Sequence, residues 1–151
     1  TPGEENRQEK IVAKIQEINP NVDEIEAQSI ISSAFKWALE FNVAPSLVLG
    51  IIATESTFAK HAISSQGAFG LMQVIPKWHL EKVKDARAKT GTPELFNIDT
   101  NIYLGIRIYK ECKAKYSSLE NALLCYNGSV GTNSSYAMKV LQNKKVFDNV
   151  I

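Results

Sequence analysis

Apolar residues recur at helical spacing along almost the whole chain, and the period breaks at only a few places. The stretch "EENRQEKIVAKIQEI" puts Ile11, Ile15 and Ile18 on one stripe, and Pro20 stops it. A second helix is expected after Asn21, with Glu24 three residues on in the manner of a capping box. Its stripe is Ala27, Ile30, Ile31, Ala34, Phe35, Ala38 and Leu39. Pro45 suits a first helical turn, and Ser46 to Thr54 is apolar nearly all round, which predicts a helix at the centre of a domain. From Ser56 to Gly70 the period is lost and Gly67 and Gly70 appear, so a loop with a short hairpin is expected. Leu71 to Ile75 leads through Pro76 into the polar helix "KWHLEKVKDARAK", and "TGTPELFN" is a second loop. Asn101 to Lys115 returns to helical period, with Ile102, Gly105, Ile106 and Tyr109 on one face. "SSLENALLCYN" reads as a short helix capped by Ser117 or Ser118, with Gly128 past its end. After "GSVGTNSS" a last helix runs through Tyr136, Val140, Leu141 and Val146. The pattern predicts an all-α chain with minimal β structure and no repeats.

Composition narrows this further. A chain of 151 residues, 44% hydrophobic and 22% charged, suits one globular domain with a substantial core. The net charge is +1, with cationic and acidic residues interspersed, so no nucleic-acid grip is expected. The apolar run Val43 to Ala53 is too short to span a bilayer and carries Pro45 and Gly50. The chain opens on Thr1 rather than Met, which fits removal of an upstream segment. Cys112 and Cys125 form no metal-ligand pattern with the two histidines, so neither a metal nor a cofactor is called for. On separate helices of a chain with an adequate core, the two cysteines are expected as unpaired thiols; export would allow a bridge. His61 and His79 are given no role.

Candidate chemistry starts at Glu55, which ends the apolar helix. Desolvation and the negative end of the helix dipole both disfavour its carboxylate, which suits a general acid near neutral pH. Position alone also fits an ordinary Glu at a fraying helix end. From Ser56 to Leu80 there is no Asp or Glu, whereas glycosidases of the common kind use two carboxyl groups. Glu55 would then serve as acid and afterwards as base. Asp85, Glu94 and Asp99 remain candidates for a second acid. Met72 can pack on a sugar ring and Gln73 can hydrogen-bond an N-acetyl group, although Leu71, Met72 and Val74 also suit a core. Tyr126 can orient the acid carboxyl, yet Tyr126-Asn127-Gly128 also suits a plain helix end.

The wording and order of "ATESTF", "AISSQGAFGLMQVIP", "ELFNIDTNIYLGIRIY" and "ALLCYNGSVG" resemble the soluble lytic transglycosylase family, whose catalytic domain is related to goose-type lysozyme. The resemblance covers roughly Val43 to Tyr136. It implies an all-α, lysozyme-like single domain with a glycan cleft, residues 21–151, carrying an N-terminal helix over residues 1–20. It implies cleavage of the β-1,4 bond between N-acetylmuramic acid and N-acetylglucosamine in peptidoglycan. The implied catalytic residues are Glu55 and Tyr126; the implied substrate-binding residues are Ser56, Met72, Gln73 and Asn127, with no metal. Asn101-Ile102 with Gly105 matches the family's structural helix start. Departures are Cys125 in place of a small residue, Asn97-Ile98 in place of a frequent Asp-Pro, and Tyr109 one position late. The implied partner is peptidoglycan glycan strands, met by a monomer in the periplasm or cell wall, or in a phage particle or lysin. A goose-type muramidase and a non-catalytic glycan-binding assembly subunit are the competing readings.

Overall fold

The computed structural model describes residues 1–151 as seven α-helices and one short 3₁₀ turn. The helices are α1 (Pro2–Ile18), α2 (Glu24–Phe41), α3 (Pro45–Ser56), α4 (Leu80–Thr90), α5 (Ile98–Lys115), α6 (Leu119–Asn127) and α7 (Tyr136–Asp148). Pro76–Trp78 forms the 3₁₀ turn ahead of α4. Extended structure is limited to isolated bridges, Ile63 with Phe69 and Phe69 with Val74, which form the small hairpin expected in the loop. No helix is long and apolar enough to cross a membrane.

Helix starts follow local chemistry. Thr1 caps α1 in a capping box with Glu4. The start of α2 differs from the sequence expectation, because Asp23 accepts from the Glu26 N–H at 2.8 Å while Asn21 donates to the Asn19 side chain. Leu39 also departs from its expected stripe, being 85% exposed near the end of α2. Ser118 caps α6, and Asn97 caps α5 by accepting from the Thr100 N–H.

Every residue of α3 from Ser46 to Ala53 is buried, as its all-round apolarity requires. It packs chiefly on α7, with α2 on another side, while α5 joins α2, α4 and α6. Gly50 explains how close α3 and α7 come: a Cβ there would lie 2.9 Å from both Lys144 N and Val140 O. Both obstacles are backbone atoms, so neither can step aside as a side chain would. A mid-helix glycine costs roughly 1 kcal/mol against alanine, and this contact is what it permits. Gly50→Ala is expected to force the two helices apart and destabilise the fold by about 1–3 kcal/mol, despite alanine's better helix propensity. A melting temperature at or above that of the wild type would show that the α3–α7 approach is not tight.

Cys112 and Cys125 are joined in a disulfide that ties α5 to α6. This corrects the expectation of two unpaired thiols. Residence on separate helices did not keep them apart, because α5 and α6 are consecutive packed helices joined by a three-residue link. Closing a loop of this size typically contributes about 2–4 kcal/mol through the unfolded state.

Candidate active site

Glu55 occupies the last turn of α3, and the chain leaves that helix through an unusual turn. Thr57 and Phe58 both take left-handed backbone conformations, at φ 49° and 64°. Such conformations are costly for residues with a Cβ, most of all for β-branched threonine, and persist only where surroundings impose them. Here the surroundings are clear. Phe58 is fully buried edge-on against Phe147 of α7, and the Asn19 amide donates to the Thr57 carbonyl at 2.9 Å. The turn is pinned from both sides, and the Glu55 side chain is thereby aimed.

Burial pushes the Glu55 carboxyl up from 4.5 to about 7, and a hydrogen bond from Tyr136 moderates the rise. The Tyr136 hydroxyl donates to Glu55 Oε2 at 2.8 Å. Tyr136 is itself buried at the first position of α7, and burial followed by the Glu55 charge holds its phenol well above the ordinary range. It is therefore a permanent neutral donor. Sequence reading missed this residue, because a tyrosine on an apolar stripe reads as core.

Tyr126 does not make the contact expected of it. Its hydroxyl donates to the Met72 carbonyl at 2.6 Å, and its phenol lies near enough to Glu55 to feel the carboxylate's charge. The carboxyl's direct phenolic partner is Tyr136, and Tyr126 braces the loop opposite.

That loop is held by a set of backbone bonds. Buried Asn101 of α5 donates to the Phe69 and Leu95 carbonyls, both at 2.8 Å, and accepts from the Met72 N–H at 2.7 Å. Gly70, at φ 78°, is required by the same packing, since a Cβ there would collide with Asn101. Met72 is fully buried with its side chain against Gly105, where any Cβ would overlap its thioether. Its side chain is thus core and not a ring-stacking surface, and the Gly-Leu-Met run offers backbone groups for bracing. Gln73 follows in a left-handed conformation at φ 54°, its Nε2 donating to the Ala62 and Gly70 carbonyls. The Gln73 amide oxygen takes no protein donor.

The remaining expected residues separate. Ser56 is buried with its hydroxyl turned back to the Ile52 carbonyl at 3.1 Å. Asn127 is exposed at the end of α6 with no side-chain partner. Gln73, Tyr126 and Asn127 line one pocket of about 300 Å³.

The alternative acids are engaged elsewhere. Asp99 accepts from Ser33 and Trp37 and pairs with Lys36 at 2.8 Å. Partial burial pushes Asp99 upward, but these bonds outweigh it and leave the carboxyl below its ordinary range. Asp85 pairs with Arg107, and Glu94 is exposed in the loop before α5. No group of three or more potential ligands is arranged to hold a metal.

This geometry can be set beside known proteins. The chain is 33% identical over 128 residues to the transglycosylase of Enterobacteria phage PRD1, an alignment covering 74% of this chain and 44% of that one. The chain thus spans under half the length of that relative. Its fold superposes on the X-ray structure of an inactive variant of lytic transglycosylase Slt from Pseudomonas aeruginosa, with a TM-score of 0.55 and 22% identity. That match covers 79% of this chain and 22% of the other. The family described as the transglycosylase SLT domain matches residues 32–146, from within α2 to within α7, so that the strained turn, the braced loop and the Glu55–Tyr136 pair all fall inside it, and the chain belongs to that family.

Proposed function

We propose that this protein is a peptidoglycan lytic transglycosylase that cleaves the bond between N-acetylmuramic acid and N-acetylglucosamine with Glu55 as its single catalytic carboxyl group. One observation carries the reading. Burial raises the Glu55 carboxyl to about 7, where one group can both give and take a proton, and its side-chain hydrogen bond comes from Tyr136 and not from a second carboxyl group. A retaining or inverting hydrolase of the common kind works with two carboxyl groups instead.

In the proposed reaction Glu55 gives its proton to the glycosidic oxygen as the C1–O bond breaks. The substrate's own N-acetyl group supports the developing positive charge at C1. Glu55, now a carboxylate, takes the proton of the same sugar's 6-hydroxyl, and that oxygen bonds to C1. That transfer restores the protonated Glu55, and the product is a 1,6-anhydro sugar with no water consumed. A carboxyl with a pKa near 7 is suited to both halves, because it gives and accepts a proton with similar ease near neutral pH.

The disulfide supports action in an oxidising compartment, such as the periplasm, the cell exterior or a phage particle. Mass spectrometry of muropeptides released from purified wall tests the reaction. Anhydro-ended fragments, lighter by one water than their hydrolysed counterparts and lacking new reducing ends, are the expected products. Fragments with free reducing ends would make the protein a muramidase, and no release from intact wall would leave it a glycan binder.

A further inference from the structure

Met72 is held from two helices at once. Asn101 of α5 accepts from its N–H at 2.7 Å, and Gly105 of α5 leaves the space that its side chain fills. Its carbonyl is held from α6, where the Tyr126 hydroxyl donates at 2.6 Å. The loop that carries Gln73 therefore keeps its shape only while α5 and α6 keep their places relative to each other.

α6 is a helix of nine residues, too short to hold its place without packing. The link from α5 fixes where it starts, and Ala122, Leu123 and Leu124 bury its middle. Tyr126 lies beyond these, next to the last residue of the helix. Cys125, one position before Tyr126, is bonded to Cys112 of α5. Asn101, Met72, Tyr126, Cys125 and Cys112 thus form a ring that runs from α5 through the loop to α6 and back. At this end of α6 the disulfide is the covalent tie that closes it.

We propose that the Cys112–Cys125 disulfide is a positioning element of the substrate site, holding Tyr126 against the Met72 carbonyl, and that a dithiol reductant lowers substrate affinity by opening it. The proposal rests on the glycan-cleaving reading above. Cys112 is buried, whereas Cys125 is partly exposed in the wall of the pocket that Gln73 lines, so Cys125 is the sulfur open to attack. One thiolate of the reductant bonds to the Cys125 sulfur as the S–S bond breaks, and Cys112 leaves as a thiolate that takes a proton from solvent. The reductant's second thiolate then bonds to its first sulfur and releases Cys125 in the same way. Both cysteines end as thiols, and the dithiol ends as a cyclic disulfide. The buried residues of α6 stay in the core, so the change is local: a looser helix end, a looser loop and a weaker hold on glycan. Full affinity thus belongs to oxidising compartments.

Hydrogen exchange on wild-type protein, before and after dithiothreitol, tests this without any assay of cleavage. Both forms are compared at a temperature where circular dichroism shows them folded. Residues 69–75 should exchange at least about tenfold faster once the bridge is open, while α3 and α7 keep their protection. Chitohexaose should bind about three- to tenfold more weakly to the reduced protein, and KM on purified wall should rise to match, with kcat within about twofold. The alkaline limb of the pH profile should stay in place, because Glu55 and Tyr136 stand on α3 and α7. The double variant Cys112→Ala, Cys125→Ala should behave as reduced wild type does and ignore dithiothreitol, which separates loss of the bridge from side effects of the reagent. Unchanged exchange at residues 69–75 with unchanged affinity would overturn the proposal. So would an equal loss of protection along the whole chain, which would make the bridge a brace of overall stability alone. If the loop loosens and chitohexaose binding weakens as expected while neither form cleaves wall, the positioning role stands and the transglycosylase reading falls.

Discussion

Glu55→Gln should abolish release of anhydro-muropeptides, by at least about a thousandfold, in a protein that folds normally and still binds glycan. Glutamine keeps the size of the side chain and an acceptor for the Tyr136 hydroxyl, but can neither give nor take the proton. Asp99→Asn, Asp85→Asn and Glu94→Gln, made singly, should stay within about tenfold of wild type, because none is asked to move a proton. Asp99→Asn should lose stability instead, since the Lys36 pair and the Trp37 and Ser33 bonds converge on its carboxylate. A folded variant among these three that is as inactive as Glu55→Gln would establish a second working carboxylate and favour the hydrolase.

The same substitution has an opposite effect on stability, and the raised pKa fixes its sign. With a carboxyl near 4.5 when unfolded and about 7 when folded, the native state binds the extra proton between those values. Native stability therefore falls as pH rises from about 4.5 to 7 and stays lowered above that window. The gap corresponds to roughly 3 kcal/mol at most. Glu55→Gln removes the penalty, so the variant should melt above wild type at pH 8 and match it near pH 4. Equal melting temperatures at both pH values would mean that Glu55 is not desolvated in the native protein. A desolvated acid of this kind is a candidate for proton transfer.

Much of this was legible in the amino-acid pattern because it depends on local physics. The all-round apolarity of residues 46–54 does mark the central helix, and a glutamate at its end does acquire a raised pKa by burial. What sequence could not resolve is which of two faces a loop residue turns inward. Met72 and Gln73 are adjacent, yet one is core and the other lines a pocket, and the room for Met72 is left by Gly105, more than thirty residues later on α5. The disulfide was misjudged for a related reason, since helix membership says nothing of how closely two helices pack. The tyrosine that touches Glu55 was hidden by its own hydrophobicity: Tyr136 serves the α7 core and the carboxyl with the same side chain.

The two tyrosines can be told apart by pH as well as by rate. Tyr136→Phe removes a hydrogen bond that favours the carboxylate, so the Glu55 pKa should climb beyond about 7. If the protonated acid is the active form, wild-type activity falls as pH rises through that value, and in Tyr136→Phe the fall should move to higher pH. The carboxyl also loses its orienting partner, so the maximal rate should drop by roughly ten- to a hundredfold with little change in KM. Tyr126→Phe acts differently. Its phenol stays neutral and bonds the Met72 carbonyl, so the substitution leaves an inward-facing carbonyl unpaired, a cost of about 1–3 kcal/mol. Melting temperature should fall and the loop carrying Gln73 should loosen, raising KM, while the alkaline limb of the pH profile keeps its place. Profiles of wild type and both variants on the same wall preparation decide the matter. A shifted limb in Tyr126→Phe with an unmoved one in Tyr136→Phe would exchange the two roles, because only the hydroxyl that touches the carboxyl can change how tightly it holds its proton.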